Sequence, residues 1–270
     1  MQKSFDLTGQ TAIVTGGAGL LGAEFSRTLA QAGAVVVVAD LHGEAAHQVA
    51  ASLTEDGYTA LGAALDVTSP ASVRALVEMA VDHSGRLDVL VNSAALDPKF
   101  DPHAQKAHSG AFEDYPFELW QQALDVNLSG VFLCCQAAVQ PMLAQGGGVI
   151  VNIASMYGVV APDQRLYERP DGPAQYKPAY YTVTKAGVLG LTKYLAAYYA
   201  GKQIRVNALT PGGVFNGHDE TFTEAYAARS ILGRMARKDE MNAALLFLAS
   251  PASSYMTGAN LVVDGGWTAW

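Results

Sequence analysis

The sequence predicts an α/β fold, a doubly wound parallel sheet with helices on both faces. Three observations carry that expectation. Short, almost wholly apolar runs at residues 11–14, 35–39, 87–91, 149–153 and 204–209 read as strands buried on both sides. Stretches of helical length separate them, and alternating β and α units imply parallel strands joined by right-handed crossovers. The first strand also runs directly into a glycine-rich loop, Thr15-Gly-Gly-Ala-Gly-Leu-Leu-Gly22, that opens a helix. Strand, glycine loop and helix together form the context of a dinucleotide phosphate site.

Composition agrees with one large core. Half of the 270 residues are hydrophobic and 16% are charged. No repeat, linker or low-complexity tract divides the chain, so residues 1–270 read as a single domain. A net charge of -8 and a pI near 5.2 argue against nucleic acid or an anionic membrane as partner. The start, Met-Gln-Lys-Ser-Phe-Asp, has no apolar core of a signal peptide, and no apolar run approaches transmembrane length. Cys134 and Cys135 are adjacent on a predicted helix and read as buried core thiols, which suits a reducing, cytoplasmic compartment.

Taken in order, the strand 11–14 and the helix 23–31 flank the glycine loop. Gly16, Gly19 and Gly22 let the backbone turn tightly and approach a pyrophosphate, whose charge is met by helix N-terminal amides. This is the opening of a Rossmann fold. The second strand, 35–39, ends in Asp40-Leu41. A carboxylate about 20 residues beyond the glycines accepts hydrogen bonds from the adenosine ribose and repels a 2′-phosphate. Neither Leu41 nor a neutral His42 offsets that charge, so the expected cofactor is NAD.

A helix at 44–56 and a strand at 59–65 lead to Asp66-Val67. A helix at 70–84 and a strand at 87–91 lead to Asn92-Ser-Ala-Ala95. Asp66 and Asn92 fall at the carboxyl ends of strands, where open α/β sheets bind ligands. Residues 97–116 read as a polar, mobile rim loop with Lys99, His103, Lys106 and His108. Nothing pairs those histidines with carboxylates at ligand spacing, so no metal is expected.

A long helix at 117–143 carries Asn127, a turn spans 146–148, and the strand 149–153 leads to Ala154-Ser155. An irregular segment, 162–178, holds four prolines. After the helix that begins near Pro178 come a strand at 204–209, Pro211-Gly-Gly213 and a segment, 214–237, that reads as mobile. A helix at 240–249 and a strand at 260–263 close on Asp264-Gly-Gly266.

The helix after Pro178 carries the acid–base chemistry. Tyr181 and Lys185 stand four residues apart and so share one helix face, a turn apart. An isolated tyrosine holds its proton to a pKa of about 10, and a fixed ammonium beside it favours the phenolate. An isolated pair with this spacing is most often ordinary surface. The rest of the chain decides the matter.

Together these motifs resemble the short-chain dehydrogenase/reductase family, in its compact single-domain branch, over nearly the whole chain. The matching residues, in order, are Thr15-Gly16 to Gly22, Asp40, Asp66-Val67, Asn92, Asn127, Ser155, Tyr181 with Lys185, Pro211-Gly212 and Asp264-Gly-Gly. The resemblance implies a hydride passed between nicotinamide and a carbinol carbon, with Tyr181 exchanging a proton with the substrate oxygen. Ser155 would hold that oxygen, and Lys185 would lower the tyrosine pKa and bind the nicotinamide ribose. Asn127 would distort its helix and support a water leading from Lys185. Cofactor contacts are implied for Gly16, Gly19, Leu20, Leu21, Gly22, Asp40, Leu41, Asp66, Val67, Asn92, Ala94, Pro211, Gly212 and Val214. A homo-oligomer, tetramer or dimer, is implied as well.

Four departures from the family pattern follow. The glycines are spaced as in the longer, sugar-nucleotide-modifying branch, yet only 85 residues follow Lys185 in this chain of 270. The usual Asn-Asn-Ala-Gly reads Asn92-Ser-Ala-Ala95, and the threonine expected after Pro211-Gly212 is missing. Ser155 and Tyr181 are 26 residues apart, roughly twice the family's usual gap, and the interval from Asn92 to Asn127 is long too.

Substrate-side insertions are therefore expected near 97–116, 160–178 and 213–237. Tyr157, Arg165, Tyr167, Arg169, Tyr176 and Lys177 are candidates to grip a polar or anionic substrate. A solvated loop serving an oligomer contact is the bland alternative. The wording around Ser155 also resembles bacterial oxidoreductases of flagellin-sugar (legionaminic-type) biosynthesis. The resulting expectation is an NAD-dependent oxidoreductase acting on a secondary alcohol or ketone of a sugar or other polar hydroxylated compound. The alternatives are an NAD-retaining epimerase or dehydratase of a sugar derivative, a reductase of hydrophobic ketones, or an idle NAD-binding scaffold.

Overall fold

A computed structural model of the chain describes residues 2–97, 109–168 and 175–270. Lys99, His103, Lys106, His108 and Arg169 lie outside those residues. Seven parallel strands form one sheet in the order β3-β2-β1-β4-β5-β6-β7. These are β1 Thr11–Thr15, β2 Val35–Asp40, β3 Ala60–Ala64, β4 Val89–Asn92, β5 Gly148–Ile153, β6 Ile204–Pro211 and β7 Asn260–Val263. The order reverses direction between β1 and β4, which opens a crevice at their carboxyl ends.

The alternation of strand side chains feeds two cores. Ile13, Val37, Leu90 and Ile150 face helices α3 (Pro70–Ser84), α5 (Gly130–Ala144) and α6 (Ala179–Tyr198). Val14, Val36, Val38 and Val91 face α1 (Leu20–Gln31), α2 (Gly43–Glu55) and α8 (Asn242–Ala249). Cys134 and Cys135 are buried free thiols in the first core, and burial pushes the Cys134 thiol up to about 12. This is the doubly wound, single-domain Rossmann arrangement expected from the alternating units.

Several elements differ from expectation. Helix α1 begins at Leu20 rather than at 23, because the amide ladder starts directly after Gly19. The long helix continues from α4 (Phe117–Leu124) into α5, interrupted by a π turn at Asp125–Ser129. By length and composition alone this 28-residue stretch would cross a bilayer, but it is a core helix, with Val131, Cys134, Ala138 and Met142 packed on the sheet.

The segment 214–237, expected to be mobile, contains α7 (Glu220–Ala227), capped by Asp219 accepting from Phe222 N–H at 2.8 Å. Its Phe222 and Tyr226 join Met156, Tyr157, Leu166, Tyr167, Met235 and Trp267 in a third apolar cluster over the carboxyl ends of β5 and β6. Tyr226 stacks on Trp267 with ring centroids 4.5 Å apart and its hydroxyl accepts from Gly213 N–H at 2.6 Å. Aromatic burial holds this segment down.

Candidate active site

The glycine loop sits where β1 ends. Gly16 has φ +63°, and a Cβ there would stand 2.7 Å from the Cα of Ala94; one on Gly22 would stand 2.0 Å from the Gly16 carbonyl oxygen. Both positions therefore require glycine. Thr15 Oγ1 accepts from the Ser93 and Ala94 amides at 3.2 Å, which pins the β4 end beside the loop. At the end of β2 the Asp40 carboxylate is held by two amides, Ala18 N–H to Oδ2 and His42 N–H to Oδ1, both at 3.1 Å. A cradle that admits no side chain and an anchored carboxylate beside it fit the pyrophosphate and ribose of a dinucleotide.

The remaining cofactor candidates differ in placement. Leu20 and Leu41 are exposed, whereas Leu21 packs on the core. Asp66 accepts from the Thr68 amide and hydroxyl, which hold its carboxyl below the usual range, and the adjacent Val67 is buried. Gly212 lies so close to Asp264 that a Cβ would meet its Cα at 2.7 Å, with Pro211 in β6 before it and Val214 bridging to Ala236 after it. The Asn92 side chain turns inward, donating to Asn152 Oδ1 at 2.8 Å.

The candidate reacting groups lie at the end of β5. Ser155 follows the strand and caps a short 3₁₀ turn, Met156–Gly158, its Oγ accepting from Tyr157 N–H at 3.2 Å. Tyr181 enters from the first turn of α6, and the Ser155 side chain lies near enough to its hydroxyl to favour the phenolate. Lys185 is buried one turn further, its Nζ donating to the Ile153 carbonyl at 2.8 Å and lying 5.9 Å from the Tyr181 ring centroid. The structure thus brings Ser155, Tyr181 and Lys185 together across 30 residues of sequence.

The electrostatics differ from the expectation drawn from spacing. Burial first, and the Asp97 carboxylate second, hold the Tyr181 hydroxyl well above 10, opposed by the nearby Ser155 side chain. Burial also lowers the Lys185 ammonium to about 8, with Asp97 acting against that. The lysine's pull on the phenolate is therefore not the dominant influence in the protein alone.

Asn127 sits in the π turn with its side chain clamped to the backbone of Leu96: Leu96 N–H donates to Oδ1 at 2.6 Å and Nδ2 donates to the Leu96 carbonyl at 2.9 Å. The expected distortion of its helix is present as that turn. The substrate-side candidates separate into two sets. Tyr157 and Tyr167 are buried in the third cluster, Tyr167 donating to Tyr157 at 3.3 Å. Arg165 is exposed and bound to Asp163, which also accepts from Arg229 at 2.7 Å, and Tyr176 is half-exposed with its amide on Ser109. Two groups were not singled out from sequence. Asp97 forms an ion pair with Lys177, whose Nζ lies 4.0 Å from the Tyr181 ring centroid, and His218 stacks on Phe222 at 4.9 Å.

Among the described residues, no group of three His, Cys, Asp or Glu is placed to hold a metal ion.

Comparison with known proteins places this geometry among relatives. The family model described as enoyl-(acyl carrier protein) reductase matches residues 16–268. The chain is 38% identical over 269 residues to D-threitol dehydrogenase of Mycolicibacterium smegmatis, covering 98% of this chain and 95% of the relative. It is 39% identical over 260 residues to a 3-alpha-(or 20-beta)-hydroxysteroid dehydrogenase of Mycobacterium bovis, covering 96% and 90%. Among solved structures, a gluconate 5-dehydrogenase from Burkholderia cenocepacia, in complex with NADP and tartrate, superposes with a TM-score of 0.87. It is 32% identical and the match covers 100% of this chain and 99% of that one.

Proposed function

The chain belongs to the short-chain dehydrogenase/reductase family, and from that premise we propose that it is an NAD-dependent oxidoreductase interconverting a secondary alcohol and its ketone on a polar, hydroxylated substrate. The observation that carries the reading is the convergence of Ser155, Tyr181 and the buried Lys185, one turn on, beside a glycine cradle at the same end of the sheet. When bound, the nicotinamide accepts or supplies the hydride. Tyr181 takes or gives the proton at the substrate oxygen, and Ser155 orients that oxygen. Lys185, fixed by the Ile153 carbonyl, holds positive charge near the phenol.

Asp40 supports NAD over NADP, because its carboxylate, anchored at the end of β2 beside the glycine loop, would repel a 2′-phosphate. The relative that acts on threitol and the neighbour named for gluconate support a hydroxylated substrate. A second reading, a hydrophobic ketone, is favoured by the aromatic cluster of Tyr157, Phe222, Tyr226 and Trp267 and by the hydroxysteroid relative. A homo-oligomer in a reducing compartment accords with exposed tyrosines on α6 and two buried free thiols.

The test is NADH and NADPH formation by the purified protein over polyols, sugars, sugar acids and hydroxysteroids. Turnover of polyols or sugars with NAD is expected, with Tyr181→Phe lowering it by at least about 10²–10⁴-fold while NAD still binds. Turnover with NADP alone would sink the role given to Asp40. Turnover confined to hydroxysteroids would select the second reading, and cofactor retained without net reduction would favour an epimerase.

A further inference from the structure

The two insertions beside the site converge on one ion pair. Asp97 follows β4, and Lys177 precedes α6, 80 residues later. Lys177 is buried, whereas the Asp97 side chain is 57% exposed. Each partner is aimed by an amide clamp. Asn127 holds the backbone of Leu96, next to Asp97, through both its N–H and its carbonyl. Gln164 does the same for Lys177, accepting from its N–H at 2.9 Å and donating to its carbonyl at 3.0 Å. The Tyr176 amide further ties to the Ser109 carbonyl at 2.9 Å, and neighbouring Gly110, at φ +88°, has room for no Cβ against the Tyr176 carbonyl. A solvated rim loop needs no such double fixing.

The pair lies over the reacting tyrosine. Lys177 Nζ is 4.0 Å from the Tyr181 ring centroid, closer than Lys185 at 5.9 Å. Asp97 bonds Lys177 through Oδ1, and its Oδ2 carries no hydrogen bond among the described residues. His218 stacks on Phe222 of α7 with ring centroids 4.9 Å apart.

Resting on the function proposed above, we propose that Asp97, held by Lys177, reads a second hydroxyl on the substrate carbon adjoining the reacting one, so that the preferred substrate is a neutral vicinal diol or its α-hydroxyketone. The pair is neutral as a whole, with an ammonium partner already supplied and a carboxylate oxygen open to accept an O–H. A substrate carboxylate at that position would face the like charge of Asp97. An alcohol without the second hydroxyl would make no charge-assisted hydrogen bond to Asp97.

The experiment compares kcat/KM for matched pairs, cyclohexane-1,2-diol against cyclohexanol and 2,3-butanediol against 2-butanol, with 3-hydroxybutyrate as the anionic probe. The full-length protein is used with NAD and with NADP. The diol-to-alcohol ratio is expected to be about 10- to 100-fold, to fall towards one in Asp97→Ala, and to be partly kept in Asp97→Asn, which still offers an acceptor. Because the readout is a ratio within one variant, general losses from folding or from Tyr181 ionisation cancel. Cofactor binding by fluorescence checks that each variant is folded. Equal rates on diol and alcohol in the wild type, or a ratio unchanged in Asp97→Ala, would overturn the inference and leave the dehydrogenase reading standing. Preference for 3-hydroxybutyrate, lost in Lys177→Met, would overturn it in favour of anion recognition. Failure of every alcohol with either cofactor would sink the dehydrogenase reading and this inference with it.

Discussion

A partly buried phenol beside a carboxylate keeps its proton, and this decides how Tyr181 responds to pH. Its hydroxyl is held well above 10 by burial and by Asp97. In the proposed reaction, alcohol oxidation needs Tyr181 to accept a proton and ketone reduction needs it to give one. Oxidation should therefore climb with rising pH through the raised pKa, while reduction holds until that point and then declines. Removing the like charge stabilises the phenolate, so Asp97→Asn should move the alkaline rise of oxidation to lower pH. Rate–pH profiles of both variants on one substrate check this. A rise that stays put, or moves upward, would show that the carboxylate does not reach the phenol electrostatically.

At the scale of elements, the glycine loop makes the strongest demand on sequence. A Cβ on Gly22 has nowhere to go, since the Gly16 carbonyl oxygen would lie 2.0 Å away across a tight turn of backbone. Gly22→Ala should therefore open the loop, destabilise the fold by about 1–3 kcal/mol and weaken NAD binding by at least about tenfold. Gly190, in the interior of α6 with nothing within 4 Å of an added Cβ, is the internal control. Gly190→Ala should instead stabilise the helix by about 0.5–1 kcal/mol. Thermal denaturation and NAD titration of the two variants separate the effects; a tolerant Gly22→Ala would mean that the loop does not need its close turn.

The same elements show what sequence makes legible. Apolar strand runs, the glycine loop and the Tyr181–Lys185 spacing are local patterns, and the structure has each where it was expected. Helix α7 was missed because what orders it is not local: Phe222 and Tyr226 are buried only once Met156, Tyr167 and Trp267 arrive from distant segments. The signal within reach was Asp219, an acidic cap ahead of a possible helix. The Asp97–Lys177 pair was invisible for the same reason. Lys177 was one of several inserted cations and Asp97 only a loop boundary, and nothing in a linear reading shows that Asn127 and Gln164 clamp them into register. The dominance of burial over Lys185 at Tyr181 was likewise out of reach, because spacing gives proximity and not the dielectric.

On the scale of the molecule, the two cores cover both faces of the sheet, but α6 is not fully used by either. Val188, Thr192 and Leu195 face inward, whereas Val183, Tyr194 and Tyr198 stand exposed, the last two at 61% and 66% with rings stacked 5.7 Å apart. Phe117 and Phe132 are also exposed along the long helix. Exposed aromatic rings that stack on each other, as Tyr194 and Tyr198 do, mark a contact surface. A symmetric assembly would bury the same patch on each copy. The wild-type chain should therefore run as a dimer or tetramer at micromolar concentration in light scattering. Replacing Tyr194 and Tyr198 together with serine should shift it to a smaller species and lower its thermal stability, because the patch would lose its partner and an assembly contributes stability by mass action. Since neither ring belongs to a core cluster, unfolding of the single chain is not expected to accompany the shift. A wild type that is monomeric at all concentrations, or a double variant of unchanged mass, would return the stacked tyrosines to ordinary surface.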